Sequence, residues 1–146
     1  MRITYRGDYA LKAILDLSLR YGGGVVTIHD LARHTDTPIK FLEQVLLDLK
    51  RGGFVESRRG KDGGYSLAKS PAQITLGDVI RYIDGPLEPI SCIHEKYKGC
   101  NEIYKCVFRP IWLEVGRGIS GIVDNITFED LARRLQISKK SFVYQI

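Results

Sequence analysis

Between Thr27 and Ala68, two short helical segments joined by one tight turn run directly into a basic, glycine-rich hairpin. Few folds accept that order of elements. Thr27, with Asp30 three residues on, is a variant of the capping box, and Ile28, Leu31 and Ala32 give the first segment an apolar side. Asp36-Thr37-Pro38 is a turn that also opens the second segment, with Thr37 as cap and Pro38 at the first helical position. This helix should run to about Lys50, bury Leu42, Val45, Leu46 and Leu49, and stop at Gly52-Gly53. A helix of about seven residues followed across a tight turn by one of about twelve is the helix-turn-helix arrangement. Phe54-Val55-Glu56-Ser57 and Gly64-Tyr65-Ser66-Leu67-Ala68 then read as two strands around Arg58-Arg59-Gly60-Lys61-Asp62-Gly63, which makes the hairpin a wing.

The flanking segments complete a mainly α fold with a small β wing. Apolar residues at helical spacing predict a helix from Asp8 to Tyr21, ended by Gly22-Gly23-Gly24. Thr75 and Asp78 cap a further helix that breaks at Gly85-Pro86. Pro86 to Lys105 lacks periodicity, and loops of that length in compact domains are usually functional. From Val107 onward Phe108, Trp112, Val115, Ile119, Ile122 and Ile126 form an a/d seam that wants a partner helix. Gly116, Gly118 and Gly121 weaken that helix, which suggests close backbone approach at a crossing. Thr127 and Asp130 cap a short helix through Leu135, and the polar residues after it should fray. The expected organisation is a winged helix-turn-helix unit over 1–85, a cysteine loop over 86–106, a dimerisation helix over 107–126, and a short C-terminal helix with a frayed tail over 127–146.

Charge and cysteine placement narrow the function. The formal net charge is +5, and it is uneven: residues 1–69 hold 12 lysines and arginines against 8 acids, residues 70–146 hold 10 against 9. A basic N-terminal half suits a nucleic-acid partner. No apolar stretch is long enough to span a membrane, and the N-terminus lacks the features of a secretion signal, so a cytoplasmic protein is expected. Cys92, Cys100 and Cys106 are the three cysteines, all within fifteen residues. In a reducing compartment that clustering points to metal or redox chemistry rather than a disulfide framework.

Lys40, Glu43 and Gln44 lie on the second short helix opposite its buried leucines, near the end where a recognition helix reads base edges. Such a face is otherwise simply solvated; the adjoining wing favours DNA. Arg58, Arg59 and Lys61 at the hairpin tip suit phosphates or a minor groove, with Gly60, Gly63 and Gly64 letting the backbone come close. The spacing Cys92-x7-Cys100-x5-Cys106 lacks the C-x2-C pairs of a structural zinc site, although His94 could complete a Cys3His set. Soft thiolates suit iron-sulfur or zinc, and metal-free thiols stay open as a third reading. Lys96, Lys98 and Lys105 nearby favour thiolates. His29 and His34 read as surface or packing residues. An enzyme fits poorly, since there is no C-x-x-C redox pair, no deaminase zinc signature and no phosphate-binding glycine loop between strand and helix.

Taken together, these residues resemble the Rrf family of winged-helix transcription regulators, some of which hold an iron-sulfur cluster while others are cluster-free. The resemblance is carried by Gly7-Asp8-Tyr9-Ala10-Leu11, Phe41-Leu42-Glu43-Gln44, Arg59-Gly60 with Gly63-Gly64-Tyr65, Ile74-Thr75-Leu76-Gly77-Asp78-Val79 and the three-cysteine loop, over about residues 1–135. It implies a homodimer held by the long helix, binding a palindromic operator in double-stranded DNA and expected to act as a repressor. It also implies that Cys92, Cys100 and Cys106 are cluster ligands. One branch of the family ligates a His three residues after the last cysteine, and this chain has Arg109 there. The wide first spacing resembles a second branch, in which an aspartate in the first helix of the other subunit completes a 4Fe-4S rather than a 2Fe-2S site. Asp8 occupies that position, where it also suits the positive end of the helix dipole.

Overall fold

The computed structural model describes residues 1–144. Its helices are α1 (Tyr5–Leu19), α2 (Ile28–Thr35), α3 (Ile39–Arg51), α4 (Leu76–Asp84), α5 (Arg109–Val123) and α6 (Phe128–Tyr144). Strands β1 (Val55–Arg58) and β2 (Gly64–Leu67) pair antiparallel, with Val55 opposite Leu67 and Arg58 opposite Gly64. Val26 exchanges two 2.8 Å backbone bonds with Tyr65, which ties the segment before α2 to the edge of this ribbon.

Capping residues account for most helix starts. The Thr27 hydroxyl accepts from the Asp30 N–H at 3.2 Å, and Thr75 and Asp78 form a reciprocal capping box, both as expected. α1 begins at Tyr5, earlier than the predicted Asp8, because the Thr4 hydroxyl accepts the Gly7 N–H at 3.1 Å. Thr4 is itself held by Asp84, to which its hydroxyl donates at 2.6 Å and its N–H at 2.9 Å. α1 then ends at Leu19 rather than Tyr21. α3 departs from expectation in the opposite sense: Pro38 is its N-cap and Thr37 provides no cap. Asp36 adopts a left-handed conformation (φ 49°), Thr37 is buried, and its hydroxyl donates to the Thr35 carbonyl instead.

The core forms around α1, whose Ala10, Ala13, Ile14 and Leu17 pack among Leu31, Leu42, Leu46, Leu49, Val79 and Phe128. Phe128 belongs to α6, whose extent differs from the expected short helix through Leu135. α6 continues to Tyr144, well beyond Leu135, and its start shares the core of the N-terminal unit. The Leu76 N–H donates to the Ile126 carbonyl at 2.8 Å, and the Phe128 N–H donates to the Ile74 carbonyl at 2.9 Å. Thr127 and Asp130 cap each other as predicted, and hydrogen bonds from Thr127 hold the Asp130 carboxyl below the usual carboxylate range. The polar residues after Leu135 include good helix formers, so the helix persists without burying a face.

The C-terminal end of α5 is fastened to α4. The Arg81 guanidinium donates to Asp124 Oδ1 at 2.5 Å and Oδ2 at 3.0 Å, and to Ser120 Oγ at 3.1 Å. The bond to Asp124 raises the Arg81 pKa. A side chain at Gly77 would strike Asp124, so glycine makes this approach possible. No residue of α5 is fully buried within its own chain.

Candidate nucleic-acid interface and cysteine loop

α3 buries Leu42, Val45, Leu46 and Leu49 and turns Lys40, Glu43 and Gln44 to solvent, as their 3.6-residue spacing requires. Arg58, Arg59 and Lys61 are exposed on the wing, whose tip turns through Gly60 at φ 107°. An open groove runs between α3 and the wing, lined by Glu43, Gln44, Arg58 and Arg59. The structure thus brings four of the six predicted positions to one groove, with Lys40 one turn before Gln44 on α3 and Lys61 exposed at the wing tip outside the groove. It also adds residues that the sequence reading passed over. Thr27 and Lys50 line the same groove, and Lys50 Nζ donates to Ser57 Oγ at 2.6 Å, joining α3 to β1. Lys50 lies seven residues after Glu43, so the helical repeat could have revealed it.

Arg59 is exposed at the wing tip beside Gly60, a placement that suits sequence-independent contact with duplex phosphates. Replacing Arg59 by Ala should weaken binding to all duplexes alike and lower the slope of log affinity against log salt by about one. A titration over a range of salt concentrations checks this, and an unchanged slope counts against the wing.

The loop after α4 holds all three thiols, none paired. Cys92 and Cys106 are half-buried and Cys100 is exposed. Cys92 sits in a 3-10 turn, Ser91–Ile93, whose Ile93 is buried against α5. The Arg109 Nε donates to the Cys92 carbonyl at 3.4 Å. His94 Nδ1 accepts the Lys96 N–H at 3.2 Å and so is engaged within its own turn. Asp8 lies in α1 and pairs with Lys12 at 2.8 Å, and this bond raises the Lys12 pKa. Among the described residues, no three His, Cys, Asp or Glu side chains converge as a metal-binding group. The donor chemistry of three free thiols on an irregular loop suits an iron-sulfur cluster, provided the loop closes over it.

His34 has a structural role. Its Nδ1 lies 3.1 Å from the largely buried Asp16, which also takes a 2.7 Å bond from Arg20, so the pair joins α2 to α1. No described helix is long and apolar enough to cross a membrane.

Known proteins share this arrangement. Residues 3–134 match the model of the Rrf2 family, described as an iron-dependent transcriptional regulator. An rrf2-like HTH-type transcriptional regulator of Rhodobacter capsulatus is 38% identical over 136 residues, spanning 88% of this chain and 91% of the relative. The HTH-type transcriptional regulator IscR of Cronobacter sakazakii is 32% identical over 137 residues, spanning 94% and 83%. Among solved structures, CymR, the global cysteine regulator of Bacillus subtilis, superposes with a TM-score of 0.77 at 30% identity, covering 92% of this chain and 98% of that one. These relatives are transcriptional regulators, not enzymes. The chain belongs to the Rrf2 family of winged helix-turn-helix transcriptional regulators.

Proposed function

We propose that this regulator binds a palindromic operator as a homodimer, under the control of an iron-sulfur cluster held by Cys92, Cys100 and Cys106. The observation that carries the DNA reading is the groove in which Glu43 and Gln44 of α3 face Arg58 and Arg59 of the wing. Gln can make two hydrogen bonds to adenine and Glu can accept from cytosine, whereas the wing cations contact phosphate without reading sequence. Gln44→Ala should therefore relax discrimination at one base position by roughly 1 to 3 kcal/mol. Competition binding with single-base operator variants measures it, and a uniform loss across all sequences would make Gln44 a positioning residue.

The cluster reading rests on three unpaired thiols and on the iron dependence in the family's description. A bound cluster would supply a labile crosslink between its ligands. Three cysteines leave one position open, and Asp8 of the partner subunit is the proposed fourth ligand of a 4Fe-4S cluster, favoured over 2Fe-2S because Arg109 stands where a ligating His would be needed. A metal-free thiol switch is the second reading, favoured by the likeness to a cysteine regulator. Anaerobic purification separates the two. Brown protein with iron-sulfide absorption, typed by Mössbauer spectroscopy, supports the cluster, and colourless protein without iron supports the thiol switch.

A further inference from the structure

α5 is supported differently at its two ends. Its C-terminal end moves with the DNA-binding unit, because Arg81 grips both Asp124 and Ser120 and the Leu76–Ile126 and Phe128–Ile74 bonds fix the segment that follows. Its N-terminal half rests on the cysteine loop. A Cβ at Gly116 would lie 3.0 Å from Ile93 Cδ1 and 3.7 Å from Pro89 Cδ, so both side chains occupy the notch left by the glycine. About two turns earlier on α5, Arg109 Nε holds the Cys92 carbonyl. The two contacts come from adjacent loop residues, and one of those residues is Cys92.

We propose that Arg109 and Gly116 are positioning residues that transmit the state of Cys92 to α5. Any chemistry that relocates Cys92 carries its carbonyl and Ile93 along, and α5 tilts about its clamped C-terminal end. At about 1.5 Å rise per residue, Arg109 lies roughly 22 Å from the clamp, so moving the loop by about 1 Å tilts α5 by about 3°. If α5 is the dimer axis element, that tilt reappears as a change in the spacing of the two α3 helices, and base-edge hydrogen bonds tolerate little displacement. This inference rests on control through the cysteines as proposed above.

The test uses the full-length protein, reconstituted anaerobically, with operator affinity measured in the cluster-loaded and cluster-free states. Wild type should differ between states by about fivefold or more. Arg109→Gln and Gly116→Val should stay dimeric and keep the loaded absorption spectrum, while their ratio falls to within about twofold of one. Valine does not disfavour a helix relative to glycine, so the second variant guards against misfolding of the first. Arg109→Lys keeps a cationic donor and should recover an intermediate ratio. In cluster-free Arg109→Gln, hydrogen exchange from Trp112 to Gly116 should be roughly threefold faster or more than in wild type, a readout independent of loading. Variants that keep the wild-type ratio overturn the proposal. So do variants that lose the cluster, since Arg109 would then support the ligands rather than carry their signal. Failure of the cluster reading itself shows in wild type alone, as absent iron or equal affinities.

Discussion

Ile122→Asp is expected to yield a folded monomer that binds a palindromic operator weakly. α5 has two faces. Leu113, Gly116 and Ser120 turn toward the loop and α4, whereas Phe108, Trp112, Val115 and Ile122 are exposed, Phe108 by 61% and Ile122 by 64%. A run of large apolar side chains at heptad spacing on an otherwise solvated helix marks an interface with a second helix. Gly118 and Gly121 have open space around them, so a partner backbone can approach closely there. Ile122 is the best probe because it is largely exposed in its own chain, and surface changes of that kind typically cost the fold under about 0.5 kcal/mol. A charge buried in an apolar helix pair is much less tolerable. Losing the second half-site contact removes an effective-concentration advantage of roughly 10² to 10⁴ in affinity. Light scattering at micromolar concentration together with operator binding measures both effects. A dimer that persists places the interface on other elements.

What the chain made legible was local. Thr27 with Asp30, Thr75 with Asp78 and Thr127 with Asp130 each place a capping hydroxyl three residues from its partner, and all three form. The exposed face of α3 follows from helical periodicity, and the wing follows from its glycines and cations. Thr37 failed as a cap because Asp36 takes the left-handed conformation and the Thr37 hydroxyl turns back to the Thr35 carbonyl; the turn itself was legible at Asp36-Thr37-Pro38, but not the direction it gives that side chain. Long-range contacts were also invisible. Arg81 meets Asp124 across 43 residues, and Phe128 enters a core built mainly from residues 10 to 79. These two contacts tie the end of α5 and the start of α6 to the N-terminal unit. Gly116 was read as a site of close approach, and it is one, but it receives Ile93 and Pro89 of the cysteine loop rather than another helix. The grouping of the cysteines was plain in sequence, whereas the proposed fourth donor, Asp8 of a partner subunit, cannot be placed from a single chain.

Substituting the proposed ligands one at a time should give two distinct outcomes. Cys92→Ala, Cys100→Ala and Cys106→Ala should each abolish cluster assembly, because two thiolates and a carboxylate cannot hold the cluster against loss of iron to solvent. Asp8→Ala should still assemble a cluster, but one that decays faster and is spectroscopically altered at a single iron. A carboxylate is a harder and more labile ligand for iron than a thiolate, so its removal costs less and leaves a site that solvent can occupy. The Asp8–Lys12 pair does not stand in the way. It is half-exposed, at 2.8 Å, and such i,i+4 pairs contribute only about 0.3 to 0.5 kcal/mol, far less than a metal-ligand bond. Lys12→Ala should therefore leave loading unchanged or slightly improve it. Asp8→Cys should slow decay relative to wild type by replacing the labile donor with a soft one. Absorption, circular dichroism and the decay rate of the reconstituted protein measure all of these. If Asp8→Ala leaves them unchanged while His94→Ala disturbs them, the fourth ligand lies within the loop, and the cluster no longer ties one subunit's loop to the other's first helix.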